Sequence, residues 1–199
     1  NQDYKKVELV GKIENQNLHA ITSDIEYVIV SHPNFLNAAN DLAQIHQTQD
    51  NLNSIVVTPN QIYNEFSSGK QDVAAIRDFF RMLYKLPNSN FKYALLFGDG
   101  SYDNKNRINN NTNFIPTYQS VNSLHPTLSY VTDDFYAVLD DNDGDFINDL
   151  IDIGIGRLPV KNTDEANDMV NKVELYYNQD AFGDWRNTIT FVSDDGDVK

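Results

Sequence analysis

The stretch that most constrains the fold runs from Tyr93 to Asp103, where an apolar run stops at Gly98-Asp99-Gly100. A continuous apolar run predicts a strand covered on both faces, as in a parallel sheet flanked by helices. The glycines allow backbone angles that a side chain would forbid, so the chain can leave the sheet abruptly. Asp99 is therefore predicted at the carboxyl end of a central strand, the edge where open α/β sheets bind ligands. The alternative is that Asp99 only caps the turn by accepting backbone N–H groups.

Strand-like and helix-like patterns alternate before this stretch. Runs of β-branched residues predict strands, whereas apolar residues that recur every three or four positions predict helices. The predicted strands are Glu26–Val30 and Asn53–Thr58, and the predicted helices are Phe35–Gln47, Pro59–Phe66 and one that starts after Asp72. This order is typical of right-handed crossovers that build a mainly parallel sheet with helices on both faces. The predicted fold class is therefore α/β with three layers.

The second half of the chain is predicted to be less regular. Residues 98–132 show little periodicity, and a connection of that length inside a compact domain is usually functional or mobile. Phe135–Leu139 and Ile151–Ile155 flank an acidic run and predict a β-hairpin with an acidic tip. A helix is predicted after the cap Asn162, and Thr188–Val192 is predicted as a last strand.

Charge and composition disfavour several classes of ligand. The 199 residues include 15 basic and 29 acidic side chains, which gives a net charge of −14. Binding to nucleic acid or to an anionic membrane surface needs cationic side chains, so both are disfavoured, whereas cations and basic peptides suit the clustered acid. The chain has no cysteine, and therefore no disulfide, thiolate metal site or cysteine nucleophile. No apolar run approaches the length of a membrane span, and the start at Asn1 leads us to expect an excerpt of a longer protein.

The acidic run from Asp140 to Asp145 at the predicted hairpin tip favours a calcium interpretation, because hard cations take clustered carboxylate oxygens. The run does not match an EF-hand loop. With Gly144 at the glycine position, Leu139 falls where the first ligand belongs, and a start at Asp141 puts Phe146 at the glycine position. An irregular calcium site and a solvated tip whose like charges repel are both left open.

Further acidic pairs stand where strands are predicted to begin or end. Together with Asp99 they are expected to converge at one edge of the sheet. Converging carboxylates can bind a cation, cap turns or, where their pKa values are split, perform acid–base work. The pairs are Asp133-Asp134 and Asp194-Asp195, and the calcium candidates are Asp99, Asp133, Asp134, Asp141, Asp143 and Asp145.

The four histidines, at positions 19, 32, 46 and 125, form no catalytic pattern. None lies in a His-x-x-x-His or Gly-His-Gly setting. His46 falls on the apolar side of a predicted helix, and both His32 and His125 precede proline and belong to turns. No Gly-x-Ser-x-Gly, Walker or dinucleotide glycine pattern occurs either. The chain therefore holds no self-sufficient catalytic apparatus.

Several segments, in the same order, resemble the gingipain-type cysteine peptidases. One is Leu-Leu-Phe-Gly-Asp-Gly-Ser-Tyr-Asp at 95–103, and another is Ile-Gly-Arg-Leu-Pro-Val at 155–160. The others lie at 26–35, 61–70, 115–120 and 131–136. Each segment alone is a weak signal, whereas their order over about residues 24–197 is specific.

The resemblance implies a caspase-like, gingipain-like fold with two sheet-bearing subdomains. Residues 1–23 would be a leading strand or arm, and residues 24–199 the first subdomain. In the family the catalytic His lies in a Gly-His-Gly setting and the nucleophilic Cys follows the next strand; this chain has neither, so we expect it to stop before the catalytic half and to be inactive alone. The segment 193–196 resembles a family segment with an acidic residue near the catalytic pair, which makes Asp195, and after it Asp194, the candidates for a supporting role.

Within the family the likeness points to a sortase of the type IX secretion system. It implies an extracytoplasmic protein, at the cell surface or outer membrane, that removes C-terminal sorting signals from cargo and transfers the cargo to a lipopolysaccharide acceptor. The implied partners are protein substrates with a sorting signal and other secretion components, with no nucleic acid, and calcium is the one cofactor considered. The alternatives are a calcium-stabilised binding module that presents residues 98–132, and a family member without the catalytic dyad that acts as a scaffold of the secretion apparatus.

Overall fold

The computed structural model describes residues 6–9, 11–13, 16–122, 124–143 and 149–192. Its strands are β1 (Tyr27–Ser31), β2 (Ser54–Val57), β3 (Tyr93–Phe97), β4 (Tyr118–Gln119), β5 (Val131–Thr132) and β6 (Gly154–Leu158). Its helices are α1 (Leu36–Gln49), α2 (Pro59–Phe66), α3 (Val73–Tyr84) and α4 (Thr163–Tyr177). Single 3-10 turns lie at Leu18–Ala20, Pro33–Phe35, Asp134–Tyr136, Gln179–Ala181 and Asp184–Asn187.

Four strands form a parallel sheet in the order β2-β1-β3-β6. The chain goes from β1 to β2 on one side and then returns to β3 on the other, so the winding reverses between β1 and β3. Loops leave the carboxyl ends of strands in opposite directions at such a point and open a crevice. The long connection between β3 and β6 contains a separate antiparallel ribbon formed by β4 and β5.

Helices cover both faces of this sheet, which confirms the predicted α/β class. On one face α2 and α3 bury Phe79 and Phe80 against Leu96 of β3. On the other face α1 and α4 bury Leu42 against Phe97. All five residues are at most 1% exposed, and full burial of each side chain contributes about 1.5–3 kcal/mol.

Polar side chains cap the starts of three helices, and two of these caps, Asp72 and Asn162, are the ones that the sequence predicts. The Thr58 hydroxyl accepts the Gln61 N–H (3.3 Å), and the Gln61 side chain accepts the Thr58 N–H in return (2.8 Å), a reciprocal capping box for α2. Asp72 accepts the Ala74 N–H at the start of α3 (2.9 Å). Asn162 accepts the Glu165 N–H at the start of α4 (2.9 Å).

The predicted β-hairpin is corrected by the structure. Residues 135–139 form no strand: they begin in a 3-10 turn and are buried at every position. Arg77 and Arg81 of α3 donate to the carbonyls of Val138 (2.8 Å) and Leu139 (2.9 Å). These side chains therefore occupy carbonyls that would otherwise accept hydrogen bonds from a partner strand. The second arm enters the main sheet as β6, parallel to β3. The chain still reverses here, since the Asp152 N–H donates to the Ala137 carbonyl (2.8 Å).

The two ends of the described chain form no strands. Thr188–Val192, which was predicted as a strand, forms none, and its Phe191 residue is 89% exposed. The described part of residues 6–13, which was predicted as a strand or an arm, forms no strand, and Val7 and Leu9 are exposed. A β-branched run becomes a strand only when a sheet edge pairs with it, and neither segment has such a neighbour among the described residues. No helix within the described residues is long and apolar enough to cross a membrane.

Candidate functional site at the carboxyl edge of the sheet

Loops from three neighbouring strands meet at the carboxyl edge of the sheet. His32 follows β1, Asp99 follows β3 and Lys161 follows β6. The His32 N–H donates to the Phe97 carbonyl (3.2 Å), and the Asp99 N–H donates to the Val160 carbonyl (3.0 Å). The loops are therefore tied to one another beyond the last sheet residues, at the point where the winding reverses.

Asp99 lies at the carboxyl end of β3, as the sequence predicts. The preceding Gly98 has a φ of 154°, which a residue with a side chain rarely adopts. The Asp99 carboxylate accepts the Thr112 hydroxyl (2.5 Å) and lies 3.8 Å from the Lys161 ammonium. Its carbonyl accepts the N–H groups of residues 114 and 115. Asp99 thus holds the long connection where it returns to the sheet.

Arg157 of β6 organises this edge. Its guanidinium donates twice to the Asp133 carboxylate, at 2.7 Å each, and to the carbonyls of Gly98, Ile115 and Pro116 at 2.9, 2.9 and 3.3 Å. The Arg157 side chain is 11% exposed and that of Asp133 is 23% exposed. Bidentate geometry and charge make this the strong type of hydrogen bond.

Sequence reasoning did not single out Arg157 as a site residue. The signal in the sequence is a lone cation in a run that is otherwise a strand, within Gly156-Arg157-Leu158. Close packing supports its role, because a β-carbon on Gly100 would stand 2.6 Å from Thr117 and 3.3 Å from the guanidinium. Gly100 therefore gives the space that lets the loop lie against Arg157.

Asp103 orders the first part of the long connection. Its side chain accepts the N–H groups of Lys105 (3.3 Å), Arg107 (2.5 Å) and Ile108 (2.8 Å), and the residue is only 8% exposed. These backbone hydrogen bonds, that of Ile108 foremost, hold the pKa of Asp103 below its usual value. Residues 98–117 are therefore fixed by internal contacts although they contain no regular element.

His32 adds an imidazole that the sequence analysis assigned only to a turn. Burial lowers its pKa, so the neutral form is favoured. Nδ1 accepts the Asn34 N–H (3.3 Å), which leaves the proton on Nε2. The ring packs against Phe114 and Phe35, with centroids 4.5 and 5.6 Å apart.

The described acidic candidates divide between two edges of the sheet. Asp133 lies at the carboxyl edge, where its carboxylate accepts hydrogen bonds from Arg157. Arg157 also donates to the Gly98 carbonyl, next to Asp99, and Asp134 is exposed beside Asp133. Asp141 pairs with Lys85 at the end of α3, and the Asp143 carboxylate accepts the Asp140 N–H (2.7 Å). Since α3 ends where the chain turns into β3, these two lie at the amino edge.

No three His, Asp or Glu side chains of the described ranges are grouped closely enough to hold a metal ion. Asp145, Asp194 and Asp195 lie outside the described residues. The calcium site and the supporting catalytic role therefore stay predictions. A thermal melt in calcium and in chelator tests the first, and a calcium-dependent rise in Tm that is lost on Asp143→Asn would support it.

Comparison with known proteins identifies the family. The profile of peptidase family C25 matches residues 21–199. The chain belongs to this family, which is that of the gingipains, so the predicted resemblance is confirmed. A search of curated protein sequences finds no match.

Solved structures give the same assignment. Dimeric latent PorU from Porphyromonas gingivalis aligns with a TM-score of 0.73 and 33% identity, over 92% of this chain and 18% of that chain. The complex of RgpB pro- and mature domains from Porphyromonas gingivalis aligns at 0.55 and 16% identity, over 76% and 29% of the two chains. The Arg-specific proteinase gingipain R aligns at 0.55 and 15%, over 78% and 29%. The last two support the caspase-like fold alone, and the chain spans less than a third of each structure.

Proposed function

We propose that this chain is the first subdomain of a PorU-like, gingipain-type cysteine endopeptidase and sortase. The enzyme acts at the cell surface or outer membrane, removes C-terminal sorting signals from type IX secretion cargo and transfers the cargo to a lipopolysaccharide acceptor. The similarity to PorU over 92% of the chain carries this proposal. Membership of a cysteine peptidase family supports a protein substrate.

The chemistry requires a thiolate and an imidazole. The thiolate attacks the peptide carbonyl, the C–N bond breaks, and the histidine gives the leaving amine its proton, which leaves a thioester. An amine of the acceptor then attacks the thioester in transfer, or water attacks it in hydrolysis, and the thiol is regenerated. This chain contains no cysteine, so the nucleophile would come from polypeptide beyond these residues.

In this proposal the chain supplies the platform on which the catalytic half is assembled. The carboxyl edge is the part of an open α/β sheet at which ligands bind, and Arg157 and Asp99 fix its loops. The chain alone is accordingly expected to be inactive. A member without the catalytic dyad that serves as a secretion scaffold, and a calcium-stabilised binding module, are the competing proposals.

The test compares this chain with the longer protein that contains it, on a fluorogenic peptide that carries a C-terminal sorting signal. We expect turnover by the longer protein only, and its loss after thiol alkylation. Turnover by the chain alone would contradict the assignment of roles. A longer protein that has no Gly-His-Gly and no cysteine, and no turnover, would favour the scaffold.

The supporting role of Asp195 and Asp194 is tested in the longer protein. Asp195→Asn, and to a smaller degree Asp194→Asn, should lower kcat with little change in KM. Asp168→Asn, an exposed position on α4, is the matched control. Equal kcat in all three variants would remove both residues from the site.

A further inference from the structure

The longest uncharged run of the chain covers residues 108–132, which contain no Asp, Glu, Lys or Arg. Charged residues make up 22% of the chain, so a surface segment of this length would normally carry several. Burial does not explain the lack of charge in the second half of the run, because Val121 and Leu124 are 90% and 98% exposed and Val131 is half exposed. The cores of protein interfaces are depleted of charge and enriched in tyrosine in the same way.

Two hollows lie on this uncharged part of the molecule, at the β4–β5 ribbon. The first is a slot of about 270 Å³, whose wall includes Tyr102, Tyr130 and Val131. The second is an open hollow of about 410 Å³ at the loop between the two strands, which Val121 and Leu124 line. These five side chains together are called the ribbon surface below.

The ribbon surface is held in position by its own hydrogen bonds. The Ser120 hydroxyl donates to the Leu128 carbonyl (2.8 Å) and accepts the Tyr130 N–H (3.3 Å), which closes the loop between the strands. The Gln119 side-chain amide donates to the Tyr102 carbonyl (2.8 Å), which fixes the opposite wall of the slot. A surface that is already ordered loses less conformational entropy when a partner binds.

Arg157 connects the ribbon to the carboxyl edge of the main sheet. Its guanidinium donates to the carbonyl of Pro116, two residues before β4, and to the carboxylate of Asp133, directly after β5. Tyr118 of β4 also stacks on Phe135, with ring centres 4.6 Å apart. The ribbon surface is therefore continuous with the edge at which open α/β sheets bind ligands.

The outer edge of β5 is open to an added strand. Gln119 faces Val131 in the ribbon, and the next pair is bonded through the Ser120 N–H and the Tyr130 carbonyl (3.1 Å). Alternation then turns the backbone N–H and carbonyl of Val131 away from β4. Within the described residues β5 pairs only with β4. Proteins usually protect such an edge with a charged side chain or a proline, and β5 contains neither.

The charges around the ribbon surface define the chemistry of a partner. A charged side chain buried against this surface would lose its hydration and find no counter-ion, so the partner must be uncharged where it makes contact. Asp134 is exposed two residues after β5, and a basic residue at one end of the partner would complement it. A second copy of the chain is disfavoured, because two molecules of net charge −14 repel each other.

We propose that the β5 edge and the ribbon surface bind an uncharged, extended segment of the protein substrate that carries a basic residue at one end. The segment adds to β5 as a strand and bonds to the backbone groups of Val131. Its apolar side chains pack in the slot beside Tyr102 and Tyr130 and against Leu124. This inference rests on the proposed peptidase function, from which it takes the substrate as the occupant.

Peptide binding to this chain tests the proposal without any catalytic readout. The probe is acetyl-Lys-Thr-Val-Thr-Val-Asn with a fluorescein at its carboxyl end, and fluorescence anisotropy measures its Kd. We expect saturable binding that becomes about tenfold weaker or more when both valines of the peptide are replaced by aspartate. Replacement of its lysine by glutamate should also weaken binding, and this second difference should shrink at high salt.

Variants of the chain locate the binding site. Val131→Pro removes the outward N–H donor, and proline is tolerated at an edge position whose N–H faces solvent. Leu124→Asp places a charge on the ribbon surface. Each variant should weaken binding of the probe about tenfold while Tm stays unchanged. Leu150→Asp, which is 84% exposed in the turn before β6, is the matched control and should bind as the unmodified chain does.

Other results would assign the ribbon surface differently and overturn the proposal. Equal affinity of Val131→Pro, Leu124→Asp and Leu150→Asp would place the peptide elsewhere. A dimer seen by sedimentation velocity and lost in Leu124→Asp would assign the surface to a second copy. Binding to phosphatidylcholine vesicles that is lost in Leu124→Asp would assign it to lipid.

Failure of the docking can be distinguished from failure of the proposed function. Binding of the probe at β5, without turnover by the longer protein, would support the docking surface and remove the peptidase assignment. Turnover by the longer protein, without binding of the probe to it or to this chain, would overturn the docking surface alone.

Discussion

Two irregular regions of this molecule, the connection over residues 98–117 and the segment over residues 178–192, are held in different ways. The first is fixed by two charged side chains that bind backbone groups, the partly buried Arg157 and the buried Asp103. The second leaves its apolar side chains in solvent. Arg186 links this segment to the end of α4, because its guanidinium lies 3.9 Å from the ring centre of Tyr176 and 4.1 Å from that of Phe182.

The difference shows that length and polarity do not decide whether a connection is ordered. What decides it is whether backbone groups that leave the solvent find partners. Arg157 supplies donors for carbonyls that no strand pairs, so the longer and more polar connection is the better fixed of the two. The two arginines therefore give a direct way to test the comparison.

The largest effect is expected from Arg157→Ala. Removal of the guanidinium takes this donor away from Asp133 and from the carbonyls of Gly98 and Ile115, and it leaves the Pro116 carbonyl with Tyr136 alone. Breaking a fully buried ion pair by removing one partner costs about 3–5 kcal/mol, and this partly buried pair is expected near the lower end of that range. Urea unfolding measures the loss of unfolding free energy. Arg157→Lys should not restore it, because an ammonium cannot reproduce the bidentate fork.

Arg107→Ala is the matched control on the same connection, since residue 107 is exposed. A loss for Arg157→Ala no greater than that of Arg107→Ala would mean that the carboxyl edge is not held by Arg157.

A smaller effect is expected from Tyr136→Phe. The Tyr136 hydroxyl is buried and donates to the Pro116 carbonyl (2.5 Å), so its removal should cost about 1 kcal/mol. The same urea titration measures it. Arg157 also donates to the Pro116 carbonyl. The unfolding free energy lost by the double variant Tyr136→Phe with Arg157→Ala should therefore differ from the sum of the two single losses. Strict additivity would show that the two side chains hold the loop independently.

Arg186→Ala should cost less than either, at most about 1 kcal/mol, because its cation–π contacts lie at an exposed site. A loss as large as that of Arg157→Ala would erase the contrast between the regions. Urea unfolding followed by circular dichroism gives the unfolding free energy of all these variants on one scale.

The fold could be predicted to a large extent because local signals agree with the tertiary structure. Pro59 and the caps Asp72 and Asn162 predicted helix starts that the structure confirms. β6 was harder to predict, since Ile151–Ile155 was expected as a hairpin arm and the strand is Gly154–Leu158. Its two glycines and one arginine weaken the strand pattern.

The site could be predicted only in part. Asp99 was placed from Gly98-Asp99-Gly100, a signal contained in adjacent residues. Arg157 was missed because its partners, Gly98 and Ile115, are 59 and 42 positions away in the sequence. Such contacts follow from the strand order, which periodicity does not reveal.

The smallest effect concerns His32, at the edge that the first region builds. Burial lowers its pKa in the folded state, so the unfolded chain takes up a proton first as the pH falls. The stability that neutral His32 contributes is present above the unfolded pKa, about 6.5, and is lost as the pH falls from there towards the folded pKa. Thermal melts at pH 7.5 and pH 5 should therefore differ less for His32→Asn, which keeps a capping oxygen, than for the unmodified chain. His125→Asn, at an exposed histidine that caps a turn in the same way, is the control, and an equal flattening in both variants would place the pH dependence outside the carboxyl edge.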